Sequence, residues 1–321
     1  MDTTMKTWLI VGAVLVVLGL TVFTLVMSIN HWDFTKLSTV KYVTNTHSIK
    51  EAFTAIDINT DTADIVFVPS DADTCQVVCH EPENMLHSVT VESGCLTLRV
   101  RDNRKWYDYI GIYNGAPKIT LFLPQGVYQS LTVKTGTGRT HVPGDFSFGT
   151  VDISGSTGNV ECLASASESL KIRLTTGKIQ LADLSAGDVE LRVSTGGITA
   201  SRLSCTGILS LQSSTGRTTL TDVSCGTLTS TGSTGNITLE NVTASKDFSI
   251  VRSTGDVEFI KCDASELSVR TDTGKVFGSL LSHKVFVCQT STGRIDVPKT
   301  ADGGRCEITT STGNIKIETP E

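Results

Sequence analysis

Residues 211–240 decide the fold, and they read LQSSTGRTTLTDVSCGTLTSTGSTGNITLE. Two Thr-Gly pairs lie 19 residues apart in this stretch, with their glycines at Gly216 and Gly235. Apolar and polar residues alternate between the two pairs, which is the pattern of strands that bury one face. The stretch therefore predicts short strands that turn sharply at each Thr-Gly pair.

The same pair recurs ten times from residue 135 onward, at intervals of 19 or 20 residues. A strand repeat of this period predicts an all-β, single-stranded parallel β-solenoid in which each coil buries its apolar face against its neighbours. Glycine suits the corners because it tolerates positive φ, and we expect the threonines beside it to stack as a hydroxyl ladder. The expected corner glycines are Gly138, Gly158, Gly177, Gly196, Gly216, Gly235, Gly255, Gly274, Gly293 and Gly313.

Working outward from the repeat divides the chain into four expected regions. Residues 1–30 form an N-terminal transmembrane anchor, since Trp8 to Ile29 is an uncharged run long enough to span a bilayer. The alternative for this run is a cleaved signal peptide, which its length and the lack of a small-residue cleavage motif disfavour. Residues 31–49 are a polar stalk, 50–134 an irregular β-strand cap region, and 135–321 the Thr-Gly repeat solenoid. The C-terminal segment 315–321 is expected to protect the rod end with its alternating charges and Pro320.

Composition excludes some classes of function. The 321 residues carry 27 Lys and Arg against 33 Asp and Glu, a formal net charge of -6. This acidic balance argues against a dedicated nucleic-acid binder. Aromatic residues make up only 6% of the chain, so a core of small and β-branched side chains is expected.

The cap region and the repeats together resemble a known bacterial family. The matching features are Ile119–Pro124, the following Leu131–Val133, and Thr-Gly-x-Ile/Val units such as Thr234–Ile237. They resemble the family named "putative adhesins", a β-strand-repeat domain of unknown function. The resemblance implies an envelope protein with one N-terminal anchor and an extracellular solenoid, and it implies no catalytic residues.

The cysteines and histidines predict no cofactor and no metal site. Cys75, Cys79 and His80 are close in sequence, but their spacing is not that of a zinc motif. Cys205 and Cys225 occupy the same position on adjacent coils and are open to two interpretations, a disulfide or thiol ladder and small buried apolar residues. The second interpretation is favoured, because stacked parallel positions point the same way and disulfide geometry is demanding.

One column of residues is a candidate binding edge. The residue after each Thr-Gly pair is basic in five of the ten coils. Such an edge suits anionic envelope polymers or lipid headgroups, whereas the alternative is a solvated corner of long polar side chains. The five candidate residues are Arg139, Lys178, Arg217, Lys275 and Arg294.

An aromatic loop is a candidate contact for another envelope protein. It carries Trp106, Tyr107, Tyr109 and Tyr113, and aromatic residues are favoured at interfaces. The alternative is a loop that folds over the end of the solenoid.

Taken together, the sequence predicts a non-enzymatic, single-pass membrane protein that presents its solenoid as an adhesion, binding or scaffolding surface. A regulatory or sensor component of a bacterial envelope-stress system is an alternative. A polysaccharide-active β-helix enzyme is a weaker one, because the acidic residues of the repeats are dispersed. An ice-binding threonine array is weaker still, since the threonines sit at glycine corners.

Overall fold

The computed structural model describes residues 3–33, 40–106 and 115–320. Helix α1 spans Thr3–Ile29. Within Thr4–Ile29 the most apolar 18-residue window has a mean hydropathy of 2.8 and no buried residue, while Met27 near the end of the helix is buried. The helix is therefore long and apolar enough to cross a membrane.

The other described elements are strands, numbered in chain order. The N-terminal nine are β1 Tyr42–Ile49, β2 Ala55–Thr62, β3 Asp64–Ser70, β4 Cys75–Pro82, β5 Met85–Glu92, β6 Cys95–Asp102, β7 Lys118–Pro124, β8 Gly126–Thr137 and β9 Thr140–Val142. The central nine are β10 Phe146–Thr157, β11 Val160–Cys162, β12 Ser165–Thr176, β13 Ile179–Thr195, β14 Ile198–Cys205, β15 Ile208–Thr215, β16 Thr218–Cys225, β17 Thr227–Thr234 and β18 Ile237–Ala244. The C-terminal eight are β19 Asp247–Thr254, β20 Val257–Cys262, β21 Glu266–Thr273, β22 Val276–Leu280, β23 Lys284–Thr292, β24 Ile295–Asp296, β25 Gly304–Thr312 and β26 Ile315–Glu318.

Each repeat forms one coil of a parallel β-solenoid, which confirms the predicted fold class. In the coil of Gly216, β15 ends at the Thr-Gly corner and β16 begins just after it. A left-handed residue, Asp222 at φ 56°, then bends β16, so the coil has three sides. The next coil stacks in parallel register, with Leu209 beside Leu228 and Leu220 beside Leu239.

The core consists of columns of inward side chains that continue from coil to coil. Leu191, Leu211, Ile250 and Val269 are at most 2% exposed, and their outward neighbours along each strand are polar except for Val251. Each coil buries its apolar face only against the coils beside it, so stability comes from the stacking itself.

The threonine ladder predicted at the corners is formed by the backbone rather than by hydroxyl groups. The N–H of every corner glycine except Gly293, which lies in the outermost coil, donates to the carbonyl of the corner threonine in the next coil, as from Gly196 to Thr215 at 2.8 Å. Among the described residues, only Thr292 and Thr312 have corner hydroxyls within hydrogen-bonding distance of each other. The hydroxyls that do reach corner-glycine carbonyls belong to residues three positions before the corner glycine of their own coil. Ser213 donates to the carbonyl of Gly196 in the neighbouring coil, and Thr310 donates to that of Gly274.

The last coil of the chain is not the last coil of the rod. Strand β25 lies between β21 and β23 and pairs in parallel with both, and β26 lies between β22 and β24. The coil of Gly313 is therefore interleaved between those of Gly274 and Gly293. The prediction that Ile315–Glu318 protects the rod end is wrong, because the outermost strands are β23 and β24.

The N-terminal end is interleaved in the same way. Strand β2 pairs in parallel with both β6 and β8, and β3 pairs with both β7 and β9. Antiparallel strands then cover this end, with β5 on β6, β4 on β7 and β1 on β4. We call β1, β4 and β5 the cap strands.

Candidate functional site

The column that follows the Thr-Gly corners runs along one edge of the rod, and we call it the corner column. Hydrogen bonds from the following residue to the column carbonyl of the adjacent coil fix its order, as from Ile179 to Gly197 and from Ile315 to Arg294. From the cap outward the order is Arg139, Asn159, Lys178, Gly197, Arg217, Asn236, Asp256, Lys275, Asn314 and Arg294.

The amide and carboxylate side chains of the corner column have a structural role. Asn159 Oδ1 accepts a 3.0 Å hydrogen bond from the backbone N–H of Lys178 in the next coil. Asp256 does the same for Lys275 at 2.7 Å, and Asn314 for Arg294 at 2.9 Å. These side chains satisfy corner N–H groups that no strand partner reaches.

The five basic side chains of the corner column have no such role in the part of the chain described. All five are exposed, and none lies within 4.0 Å of a described carboxylate oxygen. They are separated by two, two, three and two coil steps, or roughly 10–15 Å at about 4.8 Å per coil. Interleaving adds to this spacing, because Asn314 lies between Lys275 and Arg294.

The first two cations flank a recess on the surface. A groove of about 210 Å³ is lined by Arg139, Asn159, Val160, Glu161, Lys178 and Gln180. His141 Nδ1 lies 3.1 Å from Glu161 Oε2 on its floor side, so that acid already has a partner. The groove leaves the two cations directed at the same open space.

A wider groove near the cap strands was not predicted. Its volume is about 500 Å³, and its lining includes Lys134, Thr135, Gly155 and Arg173. Arg173 is held by Asp152 through two hydrogen bonds of 2.7 Å. The hollow arises where Gly136 and Gly155 supply no side chain, and those two glycines are the only signal in the sequence.

A second ladder of charges lies at a different corner of the rod and was also missed. Five residues with positive φ occupy this corner in successive coils: Asp183, Arg202, Asp222, Asn241 and Lys261. Asp183 forms an ion pair with Arg202, and Asn241 donates to Asp222 at 2.9 Å. The sequence did carry a signal for this corner. In three of these coils an Asp or Asn directly precedes Leu or Val, and Asp and Asn tolerate a left-handed backbone.

The dispersed acidic residues serve to join coils. Asp188 accepts from the backbone N–H of Ile208 at 2.8 Å, and Asp263 holds the buried Lys284 at 2.7 Å. Together with Asp183, Asp222 and Asp256, they are occupied by contacts to another coil. No two of these five residues form the free pair of carboxylates that glycoside hydrolysis uses.

The aromatic loop is described only in part. Trp106 is 77% exposed, while Tyr107, Tyr109 and Tyr113 lie outside the described residues. The proposed partner contact therefore stays a prediction.

The cysteines behave as small apolar residues. All nine are free thiols, and seven of them are buried. Burial raises the pKa of Cys225 and of Cys306 to about 12, so these thiols stay protonated at neutral pH. The favoured interpretation of Cys205 and Cys225 as buried apolar residues fits this geometry.

The cap strands bring together three side chains that sequence reasoning did not combine. Cys79, Glu81 and His87 are all buried, and their potential metal-ligand atoms lie within 4.8 Å of one another. His80, the histidine considered beside Cys79, is exposed on the opposite face of β4. The available signal was the strand alternation, which places Cys79 and Glu81 on one face.

The fold and its corner column define a class: a parallel β-solenoid, capped at one end, that follows an apolar helix. Residues 53–216 and 206–321 match the family described as Toastrack DUF4097. The chain belongs to this family, as the resemblance in the repeats predicted.

A comparison with solved structures found several similar chains. One is described as "a putative adhesin" from Bacteroides fragilis, at 15% identity, with 87% of this chain and 97% of that chain covered and a TM-score of 0.43. Another is a "putative lipid binding protein" from Parabacteroides distasonis, at 15% identity, with 86% and 97% covered and a TM-score of 0.47. A "putative adhesin" from the same species is 11% identical, with 87% and 98% covered and a TM-score of 0.46. A search of curated proteins found no match.

Proposed function

We propose that this protein is a non-enzymatic, membrane-anchored envelope protein whose solenoid binds a phosphate-bearing anionic polymer along the corner column. The observation that carries the proposal is the row of five exposed cations without carboxylate partners in the described structure. Their amide-bearing neighbours are needed for the fold, whereas the cations are not. A purely structural corner would not require basic residues at these positions.

The spacing of the column favours an extended ligand over a small molecule. The backbone positions of successive cations lie roughly 10–15 Å apart, so a small anion in the groove between Arg139 and Lys178 would meet two of the five cations and leave the other three unused. A polymer with regularly spaced phosphates can meet several cations at once and gains avidity from each added contact. Exposed threonines and serines beside the column supply hydroxyl donors for the same phosphates.

The net charge of the chain is opposite in sign to the charge of the corner column. With a formal charge of -6 overall, the protein repels a polyanion at long range unless a cationic row faces it. Exposed charges are screened within about 8 Å at physiological ionic strength, so binding should weaken steeply as salt rises.

The test compares two variants of the full-length chain that each lose five positive charges, at different positions. The first changes Arg139, Lys178, Arg217, Lys275 and Arg294 to Ser. The matched control changes three arginines and two lysines that are exposed on other faces: Arg192, Arg270, Arg305, Lys246 and Lys261. Each protein is purified in detergent and titrated with inorganic polyphosphate at several salt concentrations.

We expect the corner-column variant to lose at least about tenfold in affinity and most of its salt dependence, since five contacts disappear. The control variant should lose far less, because only the long-range field changes. Equal losses in the two variants would show that net charge, and not the column, governs binding. Vesicles with anionic lipids form a second arm, and preferential binding to them would assign the column to a membrane surface instead.

A further inference from the structure

The cap strands contain a buried polar cluster that the binding edge does not use. Cys79 is 0% exposed, Glu81 1% and His87 5%. Among the described residues, Glu81 is the only buried carboxylate and His87 the only buried imidazole. The solenoid core is mostly aliphatic, and the three groups converge on one point within it, beside the buried hydroxyl of Thr60.

The three side chains reach that point from two strands. Cys79 and Glu81 are two residues apart on β4 and face inward, and His87 faces inward from β5. His87 Nδ1 lies 2.6 Å from Glu81 Oε2. With all three ligand atoms within 4.8 Å of one another, an ion placed among them needs shifts of about 1 Å to reach tetrahedral distances.

A second set of hydrogen bonds orients the cluster. In the ion-free protein Nδ1–H of His87 donates to Glu81, and Thr60 Oγ1 lies 2.8 Å from Nε2, where it can accept a hydrogen bond from a protonated Nε2 once Nδ1 binds an ion. Asn45 donates to Glu81 Oε1 at 2.8 Å, and the backbone N–H of His87 donates to Glu81 Oε2 at 2.8 Å. Metal-ligating imidazoles and carboxylates are typically held by outer partners of this kind.

Packing does not explain why these groups are buried. Replacing a buried ionic cluster with apolar residues of similar size is often neutral or stabilising, so stability alone does not require it. The rest of the rod interior is mainly Leu, Ile, Val, Phe, Ala and Cys. Among the described residues, neither of its buried charged side chains, Arg252 and Lys284, has a carboxylate or imidazole partner that is equally buried. A thiol, a carboxylate and an imidazole in one place are the donor set that zinc favours, whereas magnesium and calcium favour oxygen alone.

We propose that Cys79, Glu81 and His87 bind a zinc ion within the cap strands. Cys79 coordinates as a thiolate, Glu81 as a carboxylate and His87 through Nδ1, while Nε2–H donates to Thr60. When zinc binds, the thiol proton leaves to solvent, and the imidazole changes tautomer, losing its proton from Nδ1 and gaining one at Nε2. The two anionic ligands balance the charge of Zn²⁺, which makes the complex neutral in its buried site, and the fourth position is left to water.

Burial and hydrogen bonding set the protonation states of Cys79 and Glu81 before an ion binds. Burial raises the pKa of Cys79 to about 12, and the neighbouring Glu81 carboxylate adds to this. Burial also raises the pKa of Glu81, but hydrogen bonds from His87 and Asn45 outweigh it and hold that pKa below its usual value. The ion-free cluster therefore offers zinc an ionised carboxylate and a thiol that gives up its proton on binding.

The test uses Co²⁺ as a spectroscopic substitute for zinc on the full-length chain, purified in detergent and stripped with a chelator. We expect one equivalent of Co²⁺ to bind with a sulfur-to-cobalt charge-transfer band and the visible bands of a four-coordinate site. Adding Zn²⁺ should remove both sets of bands. A protein that shows no charge-transfer band at any pH from 6 to about 9 overturns the proposal.

Variants assign the ligands. Cys79→Ala should abolish the charge-transfer band and leave the β-sheet circular dichroism intact, because alanine fits where a buried cysteine packs. Glu81→Gln and His87→Ala should each weaken binding at least tenfold, and Cys79→Ala keeps the test decisive if either fails to fold. The matched controls are Cys75→Ala, a buried thiol on the same face of β4, and His80→Ala on its exposed face. A band that survives in Cys79→Ala, or disappears in either control, shows that the ion binds elsewhere.

Discussion

At the scale of single residues, the corner glycines tolerate substitution least. Nine of the ten have φ between 135° and 159°, a region that L side chains rarely enter. A Cβ built on Gly196 would collide with the carbonyl oxygen of Gly177 in the neighbouring coil. The other corner glycines would likewise meet a backbone carbonyl of the coil beside them. Gly293 lacks the positive φ but has no more room, because its Cβ would meet the carbonyl of Gly313.

We predict that Gly196→Ala destabilises the solenoid by about 2–5 kcal/mol, from backbone strain and from the displaced carbonyl. Urea unfolding of the full-length chain in detergent, followed by circular dichroism, measures the change. Gly126→Ala is the control, since a Cβ there meets no atom within 4 Å. A Gly196 variant as stable as this control would mean that the coils move apart easily.

Sequence alone predicted these corners because the required residue type repeats at a fixed interval. It also predicted the apolar role of most cysteines, since Cys205 and Cys225 fall in apolar columns. It did not predict the cluster of Cys79, Glu81 and His87. That cluster depends on how β4 and β5 fold over the first coils, and no repeat in the sequence specifies this pairing.

At the scale of elements, the order in which coils stack is the feature that local sequence does not determine. The coils of Gly293 and Gly313 have nearly the same pattern and spacing, so either one could follow Gly274. Contacts between distant residues distinguish them. Lys284 reaches past the interleaved coil to Ala264 and Asp263, and Thr300 donates to the Lys284 carbonyl.

Two isoleucines that are partners in the structure test this order. Ile315 in β26 is fully buried, whereas Ile295 in β24 is 43% exposed, and the two lie side by side. We predict that Ile315→Ala costs about 2–5 kcal/mol and Ile295→Ala about 1 kcal/mol. Thermal and urea unfolding of both full-length variants measure the difference. If the coils stacked in chain order, Ile315 would lie at the open end of the rod, and Ile295→Ala would then cost more stability than Ile315→Ala.

At the scale of the whole molecule, the solenoid and the apolar helix define how the binding edge is presented. The ten Thr-Gly coils extend over roughly 43 Å, so the corner column can reach well beyond a headgroup layer if the rod stands away from the membrane. The charges beside the helix do not determine its orientation, since Lys6 lies on one side and Lys41 and Lys50 on the other.

We predict that the solenoid lies outside the cell. A cysteine placed at the exposed Lys299 should react with a membrane-impermeant maleimide in intact cells, whereas one placed at Thr4, before the helix, should react only after lysis. The unchanged protein is the blank, because seven of its nine thiols are buried. The opposite labelling pattern would place the solenoid in the cytoplasm and remove envelope polymers as ligands.

The interleaved ends also determine how the rod responds to mechanical force. A pull on the C-terminal residues must draw β25 and β26 from between two neighbours, which breaks two ladders of hydrogen bonds where a terminal coil would break one. At the other end, tension from the helix reaches β2 only after β1 separates from β4, and β2 also has two partners. An attachment protein under shear would thus resist unravelling from either end of its chain, and the load would fall first on its ligand contacts.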